Sequence, residues 1–152
     1  MLVYQHILLA TDGSKRSDRA ARHAIELAKR LGASITALHV VPTEQMFLDQ
    51  SFVTPVSISQ SLKNQFKKQA ALASQEILEK VRAQAAAAGV ECEALSDAGD
   101  RPYRAILKQA KRLNCDLIMM ASHGRKGVSA ALLGSETAKV LAHSEIPVLV
   151  VR

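Results

Sequence analysis

The residues with most chemical potential lie between positions 121 and 137: Ala121-Ser-His-Gly124-Arg125-Lys126-Gly127, then six residues to Gly134-Ser135-Glu136-Thr137. Glycines expose backbone N–H groups and accept positive φ, and Gly134 sits where a helix should begin, with Ser135 as its expected cap. A helix start joins free N–H groups to the positive end of a dipole, which suits an anion such as a phosphate chain. Arg125 and Lys126 add positive charge. As bare spacing, the segment fits a phosphate site and an ordinary loop alike. A second group of interest is Thr11-Asp12-Gly13-Ser14, where Asp12 could serve a ligand or simply cap the following helix.

These residues need a frame to converge. Apolar runs alternate with amphipathic stretches along the chain. Val3–Ala10, Ser34–Val41, Val90–Ser96, Asp116–Ser122 and Pro147–Val151 read as strands. Ser14–Leu31 reads as a helix with Ala20, Ala24 and Ala28 on one stripe and Gly32 at its end. A long helix follows, with Leu62, Phe66, Ala70, Ala73, Ile77, Val81 and Ala88 as its buried stripe and Gly89 as its stop. Asp100-Arg-Pro102 opens a third helix, Asp100 being the expected cap, and Ser135–His143 forms a last one. Residues 42–60 show no firm period and read as a long connection. The sum is an α/β domain: one doubly wound, Rossmann-like unit over residues 1–152, with a parallel sheet covered on both faces. In such sheets ligands lie beyond the carboxyl ends of the strands, where strand order reverses. That directs attention to Asp12, to His39-Val40-Val41 and to Met120-Ala121-Ser122-His123-Gly124.

Composition narrows the function classes. At 48% hydrophobic and 22% charged the chain is globular rather than disordered. The net charge of +6 invites a nucleic-acid reading, but three Phe and two Tyr with no Trp offer no stacking platform, so nucleic acid is not the expected partner. Two cysteines, Cys92 and Cys115, lack any zinc or CxxC spacing and read as packed thiols in a reduced, cytoplasmic setting. No apolar run reaches the ~20 residues of a membrane span. Neither GxxxxGK[ST] nor GxGxxG occurs after the first strand, which removes the Walker and dinucleotide readings. His6, His23, His39 and His143 show no paired spacing, and His123 reads as exposed on a loop.

Taken together, Ile7-Leu-Leu-Ala-Thr-Asp12-Gly-Ser, Leu38-His-Val40, Asp116-Leu-Ile-Met-Met-Ala-Ser-His-Gly124 and Pro147-Val-Leu-Val-Val resemble the landmarks of the universal stress protein family over the whole chain. ATP-binding members carry Gly-x2-Gly-x9-Gly-Ser/Thr. Gly124, nine residues, and Gly134-Ser135 match its later positions, while Ala121 replaces the first glycine. The resemblance implies a five-stranded sheet of order 3-2-1-4-5 and an adenine nucleotide, ATP or AMP/ADP, held with Mg or Mn. It implies that Thr11 and Asp12 lie near the ribose or a metal, and that Val40 offers its backbone to the adenine. Met120 and Ala121 would line the nucleoside, and His123, Gly124 and Arg125 would meet the phosphates. Gly134, Ser135 and Glu136 would finish the cradle through main-chain N–H groups and the Ser135 hydroxyl. A homodimer through Pro147–Val151, an apolar edge strand, is expected as well. Two alternatives stand beside this dimeric, nucleotide-binding regulatory protein: a nucleotide-free dimeric scaffold, and a slow ATP-hydrolysing or self-phosphorylating enzyme. Related ATP-using enzymes hold pyrophosphate with Ser-Gly-Gly-x-Asp-Ser; here Thr11-Asp-Gly-Ser-Lys15 has a single glycine, and no general base is evident.

Overall fold

Five aliphatic runs pair side by side, and the pairing sets their limits. A computed structural model describes residues 3–43, 59–124 and 132–152. In chain order the elements are β1 (His6–Ala10), α1 (Lys15–Leu31), β2 (Ser34–Val41), α2 (Gln60–Ala87), β3 (Cys92–Ala98), α3 (Pro102–Arg112), β4 (Leu117–Ala121), α4 (Ser135–His143) and β5 (Val148–Val151). The sheet is parallel throughout, in the order β3-β2-β1-β4-β5. Ile7 pairs with Ile35 on one side and with Leu117 on the other, so β1 lies in the middle and the order reverses between β1 and β4.

Alternation along the central strands divides the core in two. Ile7 and Leu9 pack with Ala20, Ala24 and Ala28 of α1 and with Leu78, Val81 and Ala85 of α2. Leu8 packs with Ile106 and Ala110 of α3 and Val140 of α4 on the opposite face. At the foot of the sheet the Asp116 carboxylate accepts the N–H groups of Gln5 (2.8 Å) and His6 (3.0 Å), holding the start of β1 beside β4.

Three expectations need correction. Strand β1 starts at His6 and not Val3, because the ladder opens with the His6–Ser34 pair; Val3 is 72% exposed. Strand β3 runs Cys92–Ala98, two residues later than the apolar pattern indicated. Val90 instead turns back to donate its N–H to Ala85 O (2.9 Å), sealing the end of α2. The buried face of α2 is Ser74, Leu78, Val81 and Ala85, not the stripe through Ala73 and Ile77. Its 28 residues span about 42 Å at ~1.5 Å each, against about 26 Å for the eight residues of β2 at ~3.3 Å. Helix α2 therefore overhangs the sheet, and Leu62 and Leu72 in its first half are exposed. Within the packed half, a polar seam fixes the register: His39 Nδ1 lies 2.8 Å from Ser74 Oγ, which lies 3.2 Å from Ser96 Oγ.

Cys92 and Cys115 are unpaired thiols, and burial pushes Cys115 up to about 11. No helix among the described residues is long and apolar enough to cross a membrane.

Candidate functional site

The exits of β1 and β4 lie side by side at the reversal of strand order, and both are built from short polar side chains. Thr11 is buried and donates its N–H to Leu38 O (2.9 Å), which ties the β1 exit to β2. Gly13 turns the chain at φ 78, where a side chain would be strained. Ser14 is the N-cap of α1: its Oγ accepts the Ser17 N–H at 3.1 Å. Asp12 is not the cap. Its Oδ1 accepts the Ser14 N–H (2.9 Å) and the Ser17 hydroxyl (2.6 Å), while its own N–H donates to Ser17 Oγ (3.2 Å). The carboxylate is thus held rigidly by one oxygen. Ser17, which sequence reasoning passed over, is the buried group that holds it; its place three residues after the cap was the available signal.

The second oxygen points across to β4. A Cβ placed on Gly124 would lie 2.6 Å from Asp12 Oδ2, a distance that real side chains do not tolerate. The β1–β4 pairing brings the two strand exits together, and glycine at 124 lets the Asp12 carboxylate keep its place between them. Gly134 meets the same region from the other direction: an added Cβ would lie 3.1 Å from Ser122 O and 3.2 Å from His123 Cα. Its N–H donates to Ser122 O at 2.7 Å, and the Thr137 hydroxyl donates to Ala121 O at 2.9 Å. Thr137, also missed in the sequence, thereby docks the first turn of α4 on the end of β4.

Ser135 is the first residue of α4, and the N-cap is Gly134, which has no side chain to cap with. Among the described residues, no side chain caps this helix start. Glu136 follows in the first turn, and its carboxylate reaches away to the Tyr103 N–H (2.8 Å). Val40 is half-buried, and its side chain packs into the cluster beneath α3 and α4. Met120 belongs to that cluster too, whereas Ala121 packs on the α1 face. Positive φ is confined to Asn114 among the described non-glycine residues, so Ala121 adopts a backbone that carries its methyl without strain.

His123 departs most from expectation. Only 3% of it is exposed, because Gly134 packs against its backbone and Ser122 Oγ lies 3.1 Å from its Nδ1. Its Nε2 is buried and has no hydrogen-bond partner among the described residues. An orphaned polar atom of this kind costs about 1–3 kcal/mol unless something else satisfies it. Arg125, together with Lys126 and Gly127, lies outside the described residues, as does most of the connection expected over residues 42–60. Among the described residues, no three His, Cys, Asp or Glu side chains are placed to hold a metal ion. The site's described residues therefore present backbone donors and one anchored carboxylate.

Comparison with known proteins agrees with this architecture. The model of the universal stress protein family matches residues 3–152. Universal stress protein YxiE of Bacillus subtilis is 34% identical over 99% of this chain and 100% of its own length. The structure of universal stress protein UspA from Lactobacillus plantarum has a TM-score of 0.80 at 26% identity, covering 98% of both chains. Two more distant structures share the fold: a universal stress protein in complex with cAMP and one from Archaeoglobus fulgidus in complex with dAMP. Their TM-scores are both 0.68, at 24% and 19% identity; they cover 99% of this chain and 98% and 99% of their own.

Proposed function

This chain belongs to the universal stress protein family, and from that premise we propose that it binds an adenine nucleotide, ATP or AMP/ADP, and acts as a dimeric regulatory protein of the stress response in the cytoplasm. The observation that carries the reading is the pair of side-chain-free positions, Gly124 and Gly134, on either side of the His123 backbone, whose buried imidazole Nε2 has no partner among the described residues. Glycine at both positions lets the main chain of the strand exits and an uncapped helix start pack closely together, and backbone N–H groups gathered in this way suit a phosphate chain. Two proteins of this fold, bound to cAMP and dAMP, give precedent for an adenine nucleotide in such a frame.

In this reading Thr11 and Asp12 face the ribose, Val40 offers its backbone to the adenine, and Met120 and Ala121 line the nucleoside. His123, Gly124 and Arg125 meet the phosphates, and Ser135 and Glu136 close the cradle with their N–H groups and the Ser135 hydroxyl. The Gly134 N–H, expected to join them, already donates to Ser122 O, so Gly134 serves by its close backbone approach instead. A divalent ion, Mg or Mn, would draw most of its ligands from phosphate oxygens, since Asp12 is the one carboxylate held at the β1 exit. When bound, it would neutralise phosphate charge.

The dimer would form through β5, an edge strand whose Leu149 is 38% exposed. Leu149→Lys should give a monomer by sedimentation, and an unchanged dimer would exclude this interface.

Thermal unfolding with Mg-ATP, and with AMP and GTP as controls, tests the nucleotide. A ligand at about 100 times its Kd adds roughly 2.7 kcal/mol, a shift of roughly 5–11 °C for a domain of this size. A shift with ATP but not GTP is expected. No shift in protein free of co-purified nucleotide would leave the nucleotide-free scaffold as the better reading.

A further inference from the structure

Helix α3 starts without a cap of its own. Arg101 occupies the N-cap position and makes no side-chain capping bond; with Pro102 as the first helical residue, Asp100 falls one position too early to serve. The missing acceptor comes from another helix. Glu136 Oε2 accepts the Tyr103 N–H at 2.8 Å, across 33 residues of sequence. Glu136 Oε1 lies 3.3 Å from Lys139 Nζ, and that ammonium stands 5.6 Å from the centroid of the Tyr103 ring. The ring stacks on His143, 5.6 Å between centroids and 28° between planes. The first turn of α3 is therefore clasped by groups from both ends of α4.

We propose that the Glu136 carboxylate is a positioning group: it braces the start of α4 against α3 and so sets the direction of the N–H groups at Ser135 and Glu136, without itself touching the ligand. The residue then has two separate duties, a main-chain donor facing the cradle and a side chain turned away from it. Its consequence for affinity rests on the nucleotide reading above, but the brace itself does not. Charge separates this role from a direct one. A carboxamide keeps an oxygen to accept the Tyr103 N–H, whereas a group that binds a divalent ion needs the negative charge.

The test compares Glu136→Gln and Glu136→Ala with the parent protein. In nucleotide-free protein, the Tyr103 amide should exchange about fivefold to tenfold faster in E136A, as for a lost helix cap, and close to the parent rate in E136Q. The Gly134 and Ser135 amide resonances should move in E136A and stay in place in E136Q. By titration calorimetry with Mg-ATP, E136A should bind about fivefold more weakly, while E136Q stays within about twofold. Equal weakening in both variants, with Tyr103 exchange undisturbed in E136Q, would assign the carboxylate to the ligand or its metal and overturn the proposal. So would unmoved Gly134 and Ser135 resonances in E136A. If the parent itself binds no ATP, the nucleotide reading fails alone, and exchange and resonance positions still decide the brace.

Discussion

Two helices begin at neighbouring strand exits in opposite ways. Helix α1 is closed by its own sequence: Ser14 caps it, and Asp12 and Ser17 take up the adjoining donors and acceptors. Helix α4 begins at a glycine with no side-chain cap, docked from below by Thr137 and from behind by Ser122. Side chains thus take the first donors of α1, whereas among the described residues none caps α4, where the Gly134 N–H goes to the backbone of Ser122. In the proposed reading a phosphate takes donors that no side chain has claimed, which favours α4 over α1. The anchored Asp12 then marks the polar, carboxylate side of the site.

The strongest way to break this contrast is to fill the space between the exits. Gly124→Val should displace Asp12 from Ser17, lower stability by about 1–3 kcal/mol, and abolish the ATP-dependent rise in Tm. A full ATP shift in this variant would show that the gap serves no ligand. Gly134→Ala is milder, because φ of −61 suits alanine and the resisting contacts, Ser122 O at 3.1 Å and His123 Cα at 3.2 Å, need a shift of only a few tenths of an ångström. It should weaken ATP about threefold to tenfold by calorimetry, following a stability loss of about 1 kcal/mol.

Ser14→Ala sharpens the contrast from the other side. Denaturant titration should show a loss of about 1 kcal/mol from the missing cap, with the ATP Kd unchanged. A large change in Kd would mean that α1 also serves the ligand. The smallest expected effect is far from both exits. Hydrogen bonds from Gln109 and Lys108 hold the Asp97 carboxyl below its usual 3.8, against the opposing effect of burial. A carboxyl with a lowered folded pKa stabilises the protein above its unfolded value, and that contribution is lost as pH falls through the folded one. Asp97→Asn should therefore be slightly less stable than the parent at neutral pH, with the gap closing below about pH 4. A gap that widened on acidification would reverse the sign.

What the sequence disclosed followed the range of the interactions involved. Caps and stops made by neighbours in the chain were legible: the start of α1 near Ser14, and its end at Gly32, which sits at φ 67. The α3 cap was not, because Asp100 is the local candidate while Glu136 does the work from a distance. The α2 stripe was misread by one position because alanines fill several faces of that helix. The buried register is chosen by Ser74, a polar residue that an apolar pattern passes over, through its contact with His39. The strand exits that form the site were legible from fold logic, since parallel strands put their ligands at a reversal of order. The burial of His123 was not, since a residue following a strand looks exposed until Gly134 is known to fold back on it.

The clasp of Asp116 on Gln5 and His6 joins residues 111 and 110 positions apart. Strands β1 and β2 can find each other early, with one helix between them, but β4 must return across most of the chain to reach the far side of β1. Closing so long a loop is entropically slow, and little rewards it until the second strand registers. The two exits consequently meet at the joint of greatest sequence separation in the sheet. A ligand seated there would act on the lifetime of the finished molecule, bridging the joint whose closure costs the chain most entropy.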